Sequence, residues 1–318
     1  MEHYSVMLNE AVDLLKIDPS GIYVDGTLGR AGHSSEILKR LQTGHLYSFD
    51  IDQQAIDESR EKLLEIGDQF TLLKANFADM KEVLNTLGVE KVDGILLDIG
   101  VSSPQFDDPD RGFSYRYDTR LDMRMDSQQE LDAYKVVNEY SYEDLKRILT
   151  RYGEEPFAKQ IARKIEQKRA VKPIETTGEL VEVIKEALPE KAKKKLGHPA
   201  KQTFQAIRIE VNGELNNLEK GLNEALELLK PGGRLVVISF HSLEDQLVKS
   251  IFRSATEAEV IDKHIPLKAA DMPVADYELV TKKPLTASEK ELSENHRSHS
   301  AKLRAIERRT DYDSGKDK

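Results

Sequence analysis

The sequence predicts an α/β fold, a mostly parallel sheet with helices between its strands, interrupted by an all-helical insertion. Three observations carry this prediction. Short apolar runs alternate with helical patterns through the first hundred residues. Strand-like runs then disappear from about Phe106 to Lys201. A strand pattern buried on both faces resumes at Arg234 to Phe240. Strands separated by helical stretches require right-handed crossovers and parallel pairing.

The elements follow in order. Ile22 to Asp25 reads as the first strand, followed by a glycine-rich turn and a helix through Ile37, Leu38 and Leu41. Leu46 to Phe49 is the second strand, ending in Asp50-Ile51-Asp52, with a helix through Ala55, Ile56 and Leu63. Phe70 to Leu73 is the third, and Val92 to Leu97 the fourth. The fourth is apolar almost throughout, as a strand covered on both faces must be. In the insertion, Ser141-Tyr142-Glu143-Asp144 resembles a capping box with a shorter acid. Leu145, Ile148, Leu149 and Tyr152 follow it at helical spacing. Phe157, Ile161 and Ile165 mark another helix, and Leu180, Ile184 and Leu188 a third. After Gln202 one long helical pattern runs through Leu215, Leu218, Leu222, Leu226 and Leu229, and Lys230-Pro231-Gly232-Gly233 stops it. Val260 to Ile265 and Ser300 to Ile306 are candidates for two last strands, and Asp311 to Lys318 reads as a disordered tail.

With 318 residues, at about 150 per domain, the chain suits one large domain or two smaller ones. Charged residues reach 33% against a norm of about 25%, which implies many solvated helix faces and a charged partner. The net charge of −10 argues against a protein that coats nucleic acid nonspecifically. The absence of cysteine removes disulfides, thiolate metal sites and every cysteine-nucleophile mechanism. No apolar run approaches a membrane span, and Met1-Glu2-His3-Tyr4-Ser5 lacks the basic and apolar regions of a signal peptide. A soluble cytoplasmic protein is expected.

The turn Asp25-Gly26-Thr27-Leu28-Gly29-Arg30-Ala31-Gly32-His33 joins the first strand to the first helix. Glycines there let the backbone turn sharply and approach a ligand, with free helix N–H groups facing it. The spacing matches neither the G-x-G-x-x-G dinucleotide fingerprint nor a phosphate loop, and no lysine follows, which disfavours triphosphate hydrolysis. Asp50 closes the second strand 25 residues after Asp25. A carboxylate there can accept both hydroxyls of a ribose in the crevice beyond the strand ends. Either feature alone can be a plain cap or turn; together, in this order, they indicate an adenosyl-type ligand.

The fourth strand ends in Leu97-Asp98-Ile99-Gly100-Val101-Ser102-Ser103-Pro104-Gln105-Phe106. A carboxylate followed by Ser-Pro and an aromatic stands where such sheets place reacting groups. At these residues the chain resembles the bacterial 16S ribosomal RNA (cytosine-N4)-methyltransferase family, which acts on a cytidine of the decoding region. The resemblance extends over His3 to Leu8, Tyr23 to His33, Gly94 to Gln105, Asp108 to Ser114, Leu121 to Met125 and Tyr152 to Glu155. It continues through Thr203 to Arg208, Pro231 to Leu235 and Ile238 to Asp245.

The resemblance implies a Rossmann-like S-adenosylmethionine-dependent methyltransferase core, residues 1–105 and 205–318, with a substrate-recognising helical insertion at 106–204. It implies S-adenosyl-L-methionine as cofactor, held by Ala31, Gly32, His33, Asp50, Phe77, Asp98 and Gln105. Family members often carry glycine where this chain has Ala31. Physical reading assigns Asp50 to the ribose, Phe77 to the adenine, the backbone at Gly32 and His33 to the methionine end, and Asp98 to its amino group. The implied substrate is 16S rRNA in the small ribosomal subunit, and a homodimer is left open. From the residues themselves, without a His and carboxylate cluster of metal-ligand spacing or an apolar span, no metal and no membrane partner is expected.

Without cysteine, the covalent route to cytosine C5 is closed. An exocyclic N4 amine needs no covalent intermediate, but an acceptor must hold its proton while the nitrogen pyramidalises. Ser103-Pro104-Gln105-Phe106 lies where amino-methyltransferases carry a Ser-Pro-Pro-Tyr type motif, departing from it at Gln105 and Phe106. Ser103 and Asp98 are the candidate catalytic residues, with a local carbonyl as a further acceptor. His33 is a helix-start hydrogen-bonder or a base, and His241 a structural, RNA-contacting or catalytic residue. Phe106 stacks on a flipped base or packs, and Met123 and Met125 are packing residues. Other readings of the function are methylation of another amine (adenine N6 or a protein side chain) and non-catalytic cofactor binding.

Residues 146–201 hold 15 Lys or Arg against 8 acids. Lys159, Arg163, Lys164, Lys168 and Arg169 share one predicted helix. Its concentration of positive charge favours phosphate contact over a merely solvated face. The segment His296 to Arg309 is a second basic candidate.

Overall fold

A computed structural model describes residues 5–100, 108–193, 197–258 and 274–310. The chain forms two compact units, one of residues 1–100 with 215–318 and the other of 101–214.

The first unit is built on a seven-stranded sheet. Helix α1 (Leu8–Leu14) precedes β1 (Ile22–Asp25), α2 (Gly32–Arg40), β2 (His45–Asp50), α3 (Gln53–Leu64) and β3 (Phe70–Lys74). A short 3₁₀ turn, Phe77–Asp79, leads into α4 (Met80–Thr86) and β4 (Val92–Asp98). The strand order is β3-β2-β1-β4-β5-β7-β6, where β5 is Leu229–Ser239, β6 Tyr277–Leu279 and β7 Lys302–Arg308. The pairs from β3 through β5 are parallel, and β7 pairs antiparallel with both β5 and β6.

The apolar fourth strand is covered on both sides, as its composition requires. Leu96 joins one buried cluster with Leu15, Ile37, Leu38, Leu63 and Val236. Ile95 and Leu97 join another with Phe49, Met80, Leu84, Leu222 and Val237. Alternate residues of β4 and β5 thus enter opposite faces, the two-residue period of a strand.

The second unit is helical: α5 (Ala133–Glu139), α6 (Tyr142–Arg151), α7 (Ala158–Arg169), α8 (Thr177–Ala187), α9 (Glu190–Lys193) and α10 (Lys201–Asn212). Leu145, Ile148, Leu149, Ile161, Ile165, Leu180 and Ile184 are buried, so the predicted helical stripes are its core. Ser141 caps α6 by accepting the Asp144 N–H at 3.1 Å. The shorter acid turns to the Ser141 hydroxyl at 2.6 Å instead of reaching the cap's backbone N–H. The complete box is at α8, where Thr176 accepts from the Glu179 N–H and Glu179 accepts from the Thr176 N–H.

Two strand and helix expectations change, and one strand was not expected. The long helix after Gln202 is two helices, α10 and α11 (Glu214–Leu228), divided at Gly213 with φ +59°. Periodicity carries the pattern across this break, because apolar spacing persists on both sides of it. Strand β5 begins at Leu229, earlier than Arg234, and absorbs Gly232 at φ +80° within it. Strand β6 is three residues long on the sheet edge, too short to show a pattern. The Val260 to Ile265 strand and the Asp311 to Lys318 tail lie outside the described residues. Among the described residues, no helix is long and apolar enough to cross a membrane.

Because Gly213 ends α10 in the left-handed conformation, Gly213→Ala should destabilise by about 1 kcal/mol. A urea midpoint equal to that of the parent protein would show that the break does not need glycine.

Candidate active site

Strands β2, β1 and β4 are neighbours, and each ends in an aspartate: Asp50, Asp25 and Asp98. The chain passes from β1 to β2 on one side, then crosses back to place β4 on the other. The carboxyl ends on either side of such a reversal form the crevice where parallel sheets bind ligands.

The turn after β1 is tied to both neighbours. The Gly26 N–H donates to the Leu96 carbonyl at 2.9 Å, and the Leu28 N–H to the Phe49 carbonyl at 2.9 Å. A Cβ on Gly26 would stand 2.3 Å from Leu97 Cδ2 and 3.1 Å from Phe77 Cβ, so only glycine passes so close to β4. The Thr27 hydroxyl accepts the Asp98 N–H at 2.7 Å. Asp25, fully buried, accepts from the Thr27 N–H at 3.0 Å and the Ser34 hydroxyl at 2.6 Å. Asp50 accepts from the Gly29 N–H and the Asp52 N–H, both at 2.9 Å. Ala31, at φ +54°, starts α2 in the left-handed region, a conformation that costs a non-glycine residue about 1–2 kcal/mol. The bonds on either side hold that strain in place.

Five of the expected site residues therefore share this end of the sheet: Ala31, Gly32, His33, Asp50 and Asp98. Phe77 follows β3, with its Cβ beside Gly26 and its ring against Gly221 of α11. Ser103, Gln105 and Phe106 lie outside the described residues. Two further residues gain a role only in the fold. In the sequence Asp25 is merely the start of the turn, yet it organises it, and Thr27 fixes the backbone of Asp98. Their signal is an acid and a hydroxyl flanking the first glycine.

Burial governs the electrostatics. It pushes the Asp50 carboxyl up to about 6, against the lowering effect of the Asp52 and Gly29 N–H donors. It pushes Asp98 up to about 8, assisted by the nearby charges of Asp25 and Glu244. Among the described residues, Asp98 Oδ1 is buried with no hydrogen-bond partner, and its Oδ2 lies 3.7 Å from His33 Nδ1. That separation is too long for a hydrogen bond. A buried acceptor in want of a donor is costly, and its position at a strand end offers it to a cationic ligand group.

The two histidines resolve by their partners. His33 is buried, with Nε2 3.2 Å from the Val6 carbonyl. A carbonyl only accepts, so this contact selects the Nε2-protonated tautomer. His241 caps α12 (Ser242–Ala255), with Nδ1 3.4 Å from the Glu244 N–H. Its Nε2 lies 3.0 Å from Glu244 Oε1, close but off the hydrogen-bonding line. Both ring nitrogens thus face Glu244, which is a helix-start role. In the other unit, Met123 is buried, and Asn212 accepts from the Met125 N–H while donating to the Met123 carbonyl.

A pH test follows from Asp98. Its folded value near 8 lies above the unfolded value of about 3.9, so the folded state keeps a proton that the unfolded state releases between them. Stability therefore falls as pH rises through that window. Asp98→Asn removes the cost, so its melting temperature should match the parent at pH 4 and exceed it at pH 8.5. A difference that does not change with pH in a thermal-shift series would contradict the assignment.

The model of the MraW methylase family matches residues 1–309 of this chain. A protein named ribosomal RNA small subunit methyltransferase H from Limosilactobacillus fermentum is 55% identical over 309 residues, 96% of this chain and 98% of that protein. Another of the same name from Exiguobacterium sibiricum is 54% identical over 307 residues, again 96% and 98%. A solved rRNA methylase from Streptococcus thermophilus overlays with a TM-score of 0.42 and 11% identity, over 97% of this chain and 99% of that one. That overlay is too loose to bear on the site. The sequence matches, by contrast, run through the turn after β1 and all three strand-end aspartates, and on their strength the chain belongs to the MraW methylase family.

Proposed function

We propose that this protein transfers the methyl group of S-adenosyl-L-methionine to the N4 amine of a specific cytidine in 16S ribosomal RNA of the small subunit. The observation that carries the reading is the orphaned, buried Asp98 Oδ1 at the β1–β4 reversal. It supplies what the cofactor's methionine ammonium requires. The names of the two relatives supply the substrate class.

The residues present suit that cofactor. Asp98 binds the ammonium, and a cation there favours the carboxylate that burial disfavours. Asp50 takes the ribose hydroxyls: each of its oxygens accepts one backbone N–H and keeps a second lone pair free. Phe77 flanks the adenine, and the backbone at Ala31, Gly32 and His33 lies along the methionine end. Gln105 completes the set. When bound, S-adenosylmethionine supplies a methyl carbon made electrophilic by its sulfonium.

The remaining work belongs to the chain. As the N4 lone pair leaves conjugation and displaces a neutral thioether from that carbon, the carbon–sulfur electron pair going to sulfur, the nitrogen turns positive and gives up one proton. Ser103 holds this N4 proton, with Asp98 or a local carbonyl as the other acceptors. The absence of cysteine leaves no thiol to attack the ring. Rate acceleration then comes from in-line positioning and exclusion of water.

Mass analysis of small-subunit rRNA nucleosides from cells lacking the protein should show one N4-methylcytidine lost. A complete nucleoside profile would refute the substrate assignment. Asp50→Ala should cost about 2–3 kcal/mol of cofactor affinity, as for charge-assisted hydrogen bonds. Unchanged affinity by calorimetry would remove Asp50 from the site. Ser103→Ala should keep cofactor affinity and melting temperature while slowing single-turnover methylation. An unaltered rate would transfer the proton to Asp98.

A further inference from the structure

The polar face of α7 divides into two groups of side chains. Lys164 and Lys168 close on Glu186 of α8 at 3.1 and 2.9 Å, and Arg169 donates to the Val137 and Tyr140 carbonyls. These three cations hold the helices of their own unit together. Lys159, Gln160, Arg163 and Gln167 are exposed, and their side chains make no hydrogen bond or ion pair with any described residue. Their spacing of one, four and eight places them along one side of the helix.

Arg163 is nevertheless held, with its guanidinium 5.1 Å from the centre of the Tyr142 ring. A cation–π contact restrains the side chain and leaves its N–H donors available. These four side chains line an open surface patch of about 350 Å³ with Tyr142, Lys164, Glu186 and Ala187, and the Glu186 carboxylate there is already paired with Lys164 and Lys168. The patch presents two unpaired cations and two free carboxamides.

We infer that this patch is a binding site for a single-stranded segment of the RNA substrate, with Lys159 and Arg163 on phosphodiesters and Gln160 and Gln167 on base edges. The inference rests on the RNA reading above. A carboxamide both donates and accepts, which matches the edge of an unpaired base. A lipid surface is disfavoured because, apart from Tyr142 and Ala187, the side chains lining the patch are charged or carboxamides.

The test is anisotropy of a labelled single-stranded 16S rRNA fragment containing the target cytidine, measured with the full-length protein across a potassium chloride series. Lys159→Glu with Arg163→Glu should weaken binding about tenfold or more at moderate salt. It should also flatten the log–log salt slope by about 1.4, since each phosphate neutralised on a single strand adds about 0.7. Gln160→Ala with Gln167→Ala should keep the slope and reduce preference for the fragment over poly(U). Lys168→Ala, whose cation serves Glu186, should change neither. Cofactor affinity by calorimetry should match the parent in every variant, which also reports that each is folded. An unchanged slope in the charge-reversal protein, with the parent binding RNA, would overturn the site alone. Failure of the parent itself to bind the RNA would overturn the substrate reading and the site together.

Discussion

The hydrogen bond from the Asp98 N–H to the Thr27 hydroxyl joins the end of β4 to the turn that follows β1, and the rest of the site depends on that join. It sets the backbone of the aspartate with the orphaned oxygen. Around it, Gly26 lies against Leu96 and Leu97, and Gly29 is drawn to Asp50. The first helix after β1 therefore starts from a turn held by both neighbouring strands. Such a turn can keep Ala31 left-handed, because each flanking bond resists relaxation. Replacing loop entropy with fixed backbone geometry is what pre-organisation of a binding crevice means physically.

The same join concentrates negative charge where burial penalises it. Asp25 satisfies its oxygens with local donors, and Asp50 does so with backbone N–H groups. Among the described residues Asp98 has no such compensation for Oδ1, and burial raises its carboxyl further than that of Asp50. In the proposed reading, the stability lost at this position in the free protein is regained when the cofactor's ammonium pairs with the carboxylate. Sites built for cationic ligand groups commonly carry this sort of local conflict between stability and binding.

In the helical unit, opposite charges are used differently along a single helix. An overall charge of −10 conceals a basic segment, and within that segment proximity to Glu186 separates cations that staple helices from cations that remain available. Exposed ion pairs of this kind contribute little stability each. Their consequence is to determine which of the lysines on α7 can meet a partner.

Much of the architecture was legible in the chain itself. Near-continuous apolar runs in β4 and β5 required burial on two faces, and the helical stripes of the insertion became its core, because the pattern of apolar residues reports directly on which sides of an element meet water. The acids at the ends of β2 and β4 were likewise visible, being local features at predicted strand ends. The break at Gly213 was not, since apolar spacing continues through it, and three-residue β6 carried too little pattern to find. Nor did the sequence disclose that Asp25 and Thr27 organise the site, that both nitrogens of His241 face Glu244, or that Lys164, Lys168 and Arg169 are engaged within their own unit. Those outcomes depend on partners distant in the chain or on side-chain direction, and contacts between such groups are created only by the folded backbone. Sequence determined the strands, the helices and the chemical types at the strand ends; tertiary structure decided which of those groups are satisfied and which are left to bind.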